Sequence, residues 1–270
     1  MFTRPPIPHP RYGERVFRRR IRLLADDATV VRGGLEDNLH ACRLSLHHDG
    51  HVIRAIEAQW LRYPTRICPA STTHLERLVG RPLTGSRAEF RSWEDPRTHC
   101  THLHDLLGFA VAQALRGTPS RQYDVTLPDP HEGESTLAEV ALDGRVVHRW
   151  RIDHPRIVTP VELAGREVLR GFAAWSAQVW SGDELEAAAV LQMAIIVGTS
   201  QRWDLAAMRQ RAPDETLSAR ERAANTCFAY QNVRFDSALP VVDSVRDYGD
   251  APEELVRFVQ PGSSGQTDGR

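Results

Sequence analysis

The stretch from Ala41 to Ala58, ACRLSLHHDGHVIRAIEA, decides the fold. Apolar and polar residues alternate from Cys42 to His47, the period-two pattern of a strand half buried against a core. His48-Asp49-Gly50 is a tight-turn signal, and His51 to Ala58 alternates again, less strictly, as the returning strand. Working outward, Phe17 to Leu24 (FRRRIRLL) reads as a strand with an Arg-rich outer face. The competing reading, a nucleic-acid patch, lacks interleaved aromatics. Downstream, Thr73 three residues before Glu76 marks a capping start, Leu75, Leu78 and Val79 give a short helix its apolar face, and Gly80 ends it. Leu103 to Leu115 is a longer apolar helix stopped by Gly117.

The second half replays this order. Leu137 to Leu142 reads as a strand, Asp143-Gly144 as a tight turn and Arg145 to Ile152 as the return strand. A short helical stretch follows near Leu169 to Trp180, and Asp183 caps a long apolar helix from Glu184 to Val197. The expected fold class is α+β, with two tandem, diverged units produced by internal duplication, each an antiparallel β-sheet with helices packed on one face. The expected divisions are an extended Pro-rich arm at 1–14, a first unit at 15–120, a linker at 121–133, a second unit with a C-terminal segment at 134–260, and a disordered Gly/Ser-rich tail at 261–270. Within the second unit, Arg209 to Arg222 reads as charged and helical or irregular, and Thr226 to Phe235 as a late strand or an ordered lid.

The 270 residues carry a net charge of −1, so no whole-molecule field argues for nucleic acid or an anionic membrane as partner. All 34 basic residues are Arg, and without Lys no Schiff-base or lysine general-base chemistry is available. No apolar run approaches the roughly 20 residues of a membrane span, and the N-terminus lacks the apolar region of a signal peptide. Four widely spaced cysteines without a C-x-x-C pair do not make a disulfide framework, and a reducing cytoplasm is the expected location.

The chemistry-bearing residues fall in three stretches. His40 leads into the first strand of the deciding hairpin and Glu57 lies in its return strand. Tyr63 and Cys68 flank a Pro-containing loop. His99, Cys100, His102 and His104 crowd the start of the apolar helix, where a helix N-terminus favours the thiolate of Cys100. His and Cys together suit zinc or iron. The blander readings make Cys42 a buried small hydrophobe, His47, His48 and His51 solvated around a turn, and His74 and His104 helix-surface residues. They also place the acid pairs Asp26-Asp27 and Glu36-Asp37 in solvated turns.

Taken in order, HACRLSLHHDGHVIRAIEAQ (residues 40–59), RYPTRICP (62–69), LERLVGRPL (75–83) and CTHLHDLLG (100–108) resemble a bacterial family catalogued as domain of unknown function 2889, over residues 38–117. His40, Glu57, Tyr63, Cys68, Cys100 and His102 occupy motif positions of that family. Ala41 and His99 depart from it, standing where the family has Asp and Gly. A more distant similarity links strand–hairpin–strand, a short helix ending in Val-Gly and a His-Cys pair to the IscU/NifU-type iron–sulfur scaffold proteins. That similarity implies an IscU/NifU-like fold for each unit; the other two cysteine ligands of those scaffolds have no equivalents, so it implies poor cluster holding.

Three functions compete. The first is a cofactor-free lyase or hydrolase acting on an aromatic or phenolic substrate, for example by carbon–carbon cleavage releasing an aldehyde, in keeping with the association of the family with aromatic catabolism. His40, His102, Tyr63 and Glu57 form its catalytic set, with Arg43 and Trp60 binding substrate. The second is a zinc or iron protein using His40, Cys68, Cys100 and His102. The third is a non-catalytic binding or assembly module. Homodimerisation is compatible with all three and specified by no residue.

Overall fold

A computed structural model describes residues 5–131, 133–211 and 224–260. Its elements run β1 (Val16–Ala25), β2 (Val30–Asp37), β3 (Ala41–His48), β4 (Ile53–Arg62), α1 (Arg87–Ser92), α2 (Thr101–Arg116), β5 (Ser120–Pro128), β6 (Thr136–Leu142), β7 (Arg145–Asp153), β8 (Arg156–Thr159), α3 (Phe172–Val179), α4 (Gly182–Gly198) and α5 (Leu205–Met208). The strands form one eight-stranded antiparallel sheet in the order β4-β3-β2-β1-β5-β6-β7-β8. The α+β class stands, but the two expected sheets are one.

The seam between the halves is the β1–β5 ladder, which runs from Val16 opposite Pro128 to Leu24 opposite Ser120. The expected linker at 121–133 is therefore mostly strand. Its prolines suggest a break, yet Arg121, Tyr123, Val125 and Leu127 alternate inward as a half-buried strand requires, and Pro128 closes the strand rather than interrupting it. The second half does not replay the first strand for strand. Counted outward from the seam, β6–β7 lies opposite β2–β3, not β3–β4.

One face of the sheet carries the helices. α2 packs on β1, β2 and β3, and α4 on β5, β6 and β7. Gly33 permits this closeness, since a Cβ there would lie 3.2 Å from Leu106 of α2. Arg87 and Arg91 of α1 both donate to Asp105 of α2, at 3.0 and 2.9 Å. The short helix expected at 73–79 is a 3-10 helix over Cys68–Leu78. Pro69 opens it, and the Ser71, Thr72 and Thr73 hydroxyls each bond the carbonyl three residues back, so Thr73 does not cap.

The other face is covered along β1 and β2 by the C-terminal segment. Arg18, Arg20 and Arg22 donate to the carbonyls of Gly249, Leu255 and Val259 at 3.0, 3.4 and 3.1 Å. The Arg-rich outer face of β1 thus binds the protein's own chain. Gly34 makes room for it, because a Cβ there would meet Val259, Val256 and Phe258 within 2.9 Å. Thr226 to Phe235, expected as a late strand or lid, instead holds the 3-10 turn Phe228–Tyr230 and the start of a second at Asn232–Ser237, and Phe228 N–H donates to the His99 carbonyl at 2.8 Å. Among the described residues no helix is long and apolar enough to cross a membrane. Most of the charged stretch 209–222 and the tail at 261–270 lie outside the described residues, as do residues 1–4 of the arm.

Candidate acid–base site

The tight turn from β2 to β3 builds the site. Asp37 N–H donates to the His40 carbonyl at 2.9 Å, closing a turn over Asn38 and Leu39. The Asp37 carboxylate then points to the core side, where Oδ1 accepts from the N–H groups of Leu39 and His40 at 2.8 and 2.9 Å. The same oxygen meets Nδ1 of the His40 ring at 3.0 Å. From β1, Arg19 donates through Nε to Asp37 Oδ2 at 3.0 Å. Asp37 is fully buried, and burial pushes its pKa up, but the His40 and Arg19 charges with the His40 hydrogen bond outweigh this and hold it well below the usual carboxylate range. Asp37 is therefore an ionised, acceptor-only group.

That charge state assigns the tautomers. An acceptor-only carboxylate makes His40 Nδ1 the donor, so Nε2 is the nitrogen through which the ring can take or give a proton. His102, the second residue of α2, stacks on His40 with ring centroids 3.8 Å apart. Its Nε2 lies 3.3 Å from Arg19 Nη2. Arginine can only donate, so His102 accepts at Nε2 and carries its proton on Nδ1. Burial first, then the neighbouring His40 and Arg19, lower the pKa of His102 well below its ordinary value despite Asp37. The helix N-terminus acts in the same sense. The site is thus an ionised Asp37 bonded to the His40 ring, beside a His102 held in its neutral form. His40 and His102 are only 7% and 9% exposed.

Trp60 on β4 is buried 6.0 Å from the His40 ring, its Nε1 donating to Ser71 Oγ at 3.2 Å. Half-buried Tyr63 meets Trp60 edge-on at 6.4 Å. Glu57 and Arg43 do not join them. Strand alternation turns both to the opposite face, where Arg43 donates to Gln59 at 2.9 Å and Glu57 lies 3.6 Å from His47 with 77% of its side chain exposed.

The expected four-ligand metal set is not assembled. Among the described residues the group bringing such ligand atoms within 4.8 Å of one another is Asp37, His40 and His102. Cys68 is buried against Thr65 Oγ1 at 3.1 Å. Cys100 does not carry a favoured thiolate either: burial, with the other thiols nearby, drives its pKa well up. The helix-terminus effect, which is small at a surface, loses to desolvation here.

Three residues escaped the sequence reading. Asp37 was placed with Glu36 in a solvated turn, yet both are buried, Glu36 accepting from Arg62 at 3.1 Å and from the Tyr248 hydroxyl at 2.6 Å. FRRRIRLL reads as a strand with an outer basic face, yet Arg19 shares the inward parity of Phe17, Ile21 and Leu23. Arg209 is the third. Burial lowers its pKa to about 10 in the neighbourhood of Tyr230, Arg62 and Cys68, and among the described residues its Nη1 has no hydrogen-bond partner. Arg62 itself donates to the carbonyls of Asp37 and His40, at 2.7 and 3.3 Å.

Comparison with curated proteins returns no match. Residues 24–116, which run from the end of β1 to the end of α2 and carry Asp37, His40 and His102 but not Arg19, match the model of a family described as Protein of unknown function (DUF2889).

Proposed function

We propose that the chain is an acid–base enzyme, a cofactor-free lyase or hydrolase acting on a small aromatic or phenolic substrate. The observation that carries this reading is the His40 ring held by Asp37 at 3.0 Å and stacked on a neutral His102 at 3.8 Å. His40 Nε2 takes the proton, and Asp37 stabilises the imidazolium that forms. His102 Nδ1–H donates to the oxygen on which charge develops. Trp60 and Tyr63 supply the aromatic wall, and Arg209, in place of Arg43, the cation for a phenolate or carboxylate. Since both rings are nearly covered, substrate entry requires the covering segments to move.

The test is conversion of a panel of phenolic ethers, esters and hydroxyalkyl phenols by the full chain, followed by mass spectrometry. Turnover by the wild type, lost at least 100-fold in His40→Ala and His102→Ala variants of unchanged circular dichroism, is the expected result. No conversion across the panel, or full turnover by His40→Ala, would sink it.

A metal reading retains support from the Asp37, His40 and His102 group. Against it stands Arg19, whose guanidinium already donates to both Asp37 and His102 and occupies the cation's electrostatic place. Metal analysis of untagged protein separates the readings: about one zinc or iron per chain, lost on His40→Ala, would replace the cofactor-free mechanism.

A further inference from the structure

Across the seam from His40, at the same end of the sheet, lies a half-open cavity of about 280 Å³ between the ends of β5, β7 and α4. Its floor is apolar, formed by Leu127, Ile152 and Ile195. Asp129, which follows β5, lines it and is 8% exposed. Asp129 Oδ1 accepts from Gln201 Nε2 at 3.0 Å. Among the described residues Oδ2 has no hydrogen-bond partner, although it is shut off from solvent. The nearby guanidinium of Arg15 is turned to Asp247 at 3.3 Å. Burial raises the Asp129 pKa to about 6, against the pull of Arg15 and the Gly13 amide, so the group is charged at neutral pH. A buried carboxylate oxygen left without a donor is a costly arrangement that a donor ligand relieves.

The rim decides which donor. Glu134 and Asp153 line it, against the single guanidinium of Arg202. His154 does not restore the balance, because burial and Arg202 lower its pKa and keep it neutral. An anion would be repelled, and a neutral hydroxyl would satisfy Oδ2 while leaving the excess negative charge.

We propose that this cavity binds a small ammonium ion with an apolar body, the ammonium pairing with the Asp129 carboxylate, whose Oδ2 turns from its covered position into the cavity to accept, and the hydrocarbon lying on Leu127, Ile152 and Ile195. The site stands independently of the acid–base reading, but it is wired to it. Gln201 Oε1 accepts from Asn38 Nδ2 at 3.2 Å, and Asn38 and Gln201 are 3% and 4% exposed. A buried chain of amides therefore joins Asp129 to the turn that carries Asp37 and His40.

The experiment is a titration of the full chain at pH 7.5 with 2-phenylethylammonium, 2-phenylethanol and 3-phenylpropionate, read by calorimetry and by the histidine ring signals in NMR. Saturable binding of the ammonium is expected, at least tenfold tighter than the alcohol or the acid, and at least tenfold weaker in Asp129→Asn. The His131 and His154 rings, which line the cavity, should shift on binding while His47 and His51 do not. This second readout locates the ligand in the wild type, whatever the fate of the variant. No saturable binding, preference for the acid, undiminished binding in a folded Asp129→Asn, or shifts at His47 and His51 in place of His131 and His154 would overturn the proposal.

Discussion

Arg19 and Arg121 are the same device used twice. Each sits on the inward side of a seam strand, nearly buried, and each reaches the second residue of the helix packed on its half. Arg19 meets His102 of α2, and Arg121 meets Asp183 of α4. Because β1 and β5 run antiparallel, the two arrangements lie towards opposite ends of the sheet. Their neighbours differ. Around Arg121 stand the Tyr123 hydroxyl at 2.8 Å and Glu186 at 3.7 Å, with Glu186 also held by Arg116 and Tyr123. A carboxylate at a helix N-terminus facing an arginine satisfies the dipole and the charge together. Around Arg19 the helix contributes an imidazole instead, and the carboxylate comes from the β2–β3 turn with a second imidazole attached. One end is a closed ion-pair lock; the other has the same frame with proton-transferring groups set into it.

The largest expected difference between the ends is in stability. Arg19→Met removes the guanidinium from a fully buried carboxylate and should cost about 3–5 kcal/mol. Arg121→Met should cost less, roughly 1–2 kcal/mol, because Asp183 has half its side chain in water and Glu186 keeps its other partners. Urea unfolding of the two variants measures this; equal losses would mean the two arginines are not in different environments. Adding Asp37→Leu to Arg19→Met should recover part of the loss, since the uncompensated charge goes with it.

A smaller effect comes from His104, two residues beyond His102 on α2. It is fully buried, and among the described residues neither ring nitrogen has a hydrogen-bond partner. Burial lowers its pKa to about 3. His104→Leu should therefore stabilise the fold at pH 7 by about 1–2 kcal/mol, as an unsatisfied polar group is removed. The pH sign is definite. The unfolded ring takes its proton near 6.5 and the folded ring resists until about 3, so stability is lost as pH falls through that window, by about 1.4 kcal/mol per unit. His102 acts in the same direction. The variant should show a slope shallower by one proton between pH 6 and 4; an unchanged slope would show that His104 is hydrated. α4 carries no histidine, so substitutions at its uncharged positions leave this slope alone.

What the sequence made legible was local. The β3–β4 hairpin and the two long helices follow from period and turn chemistry, which act over a few residues. Parity also contained Arg19, since the alternation of FRRRIRLL places it with Phe17, Ile21 and Leu23, but an arginine on the core side looks implausible until its carboxylate is known. That carboxylate, three residues before His40, was hidden beside Glu36 because an acid pair resembles a solvated turn. Strand parity sends the two to opposite faces, Asp37 to the core and Glu36 beneath the C-terminal segment, where Val256 N–H donates to it at 2.7 Å. Cys100 misled for another reason: a helix N-terminus is visible in sequence, while the burial that overrides it depends on the packing of distant segments. The single sheet was invisible for the same cause, since the β1–β5 ladder joins residues about a hundred positions apart.

The smallest expected effects fall on Glu57 and Arg43, and they sharpen the comparison most. Both lie among family-like motif residues, yet both sit on the solvent side of β3 and β4, while Cys42, Leu44, Ala58 and Trp60 face the helices. If the site is one-sided, Glu57→Gln and Arg43→Gln should each change stability by less than about 0.5 kcal/mol, as exposed substitutions do. They should also leave any His40-dependent turnover unchanged. Trp60→Ala, only three positions from Glu57 but on the helix side, should lose both stability and turnover. The measurement is the same conversion assay alongside urea unfolding. Should folded Glu57→Gln lose His40-dependent turnover, the outer face would have to take part, and a second surface meeting it there would become part of the site.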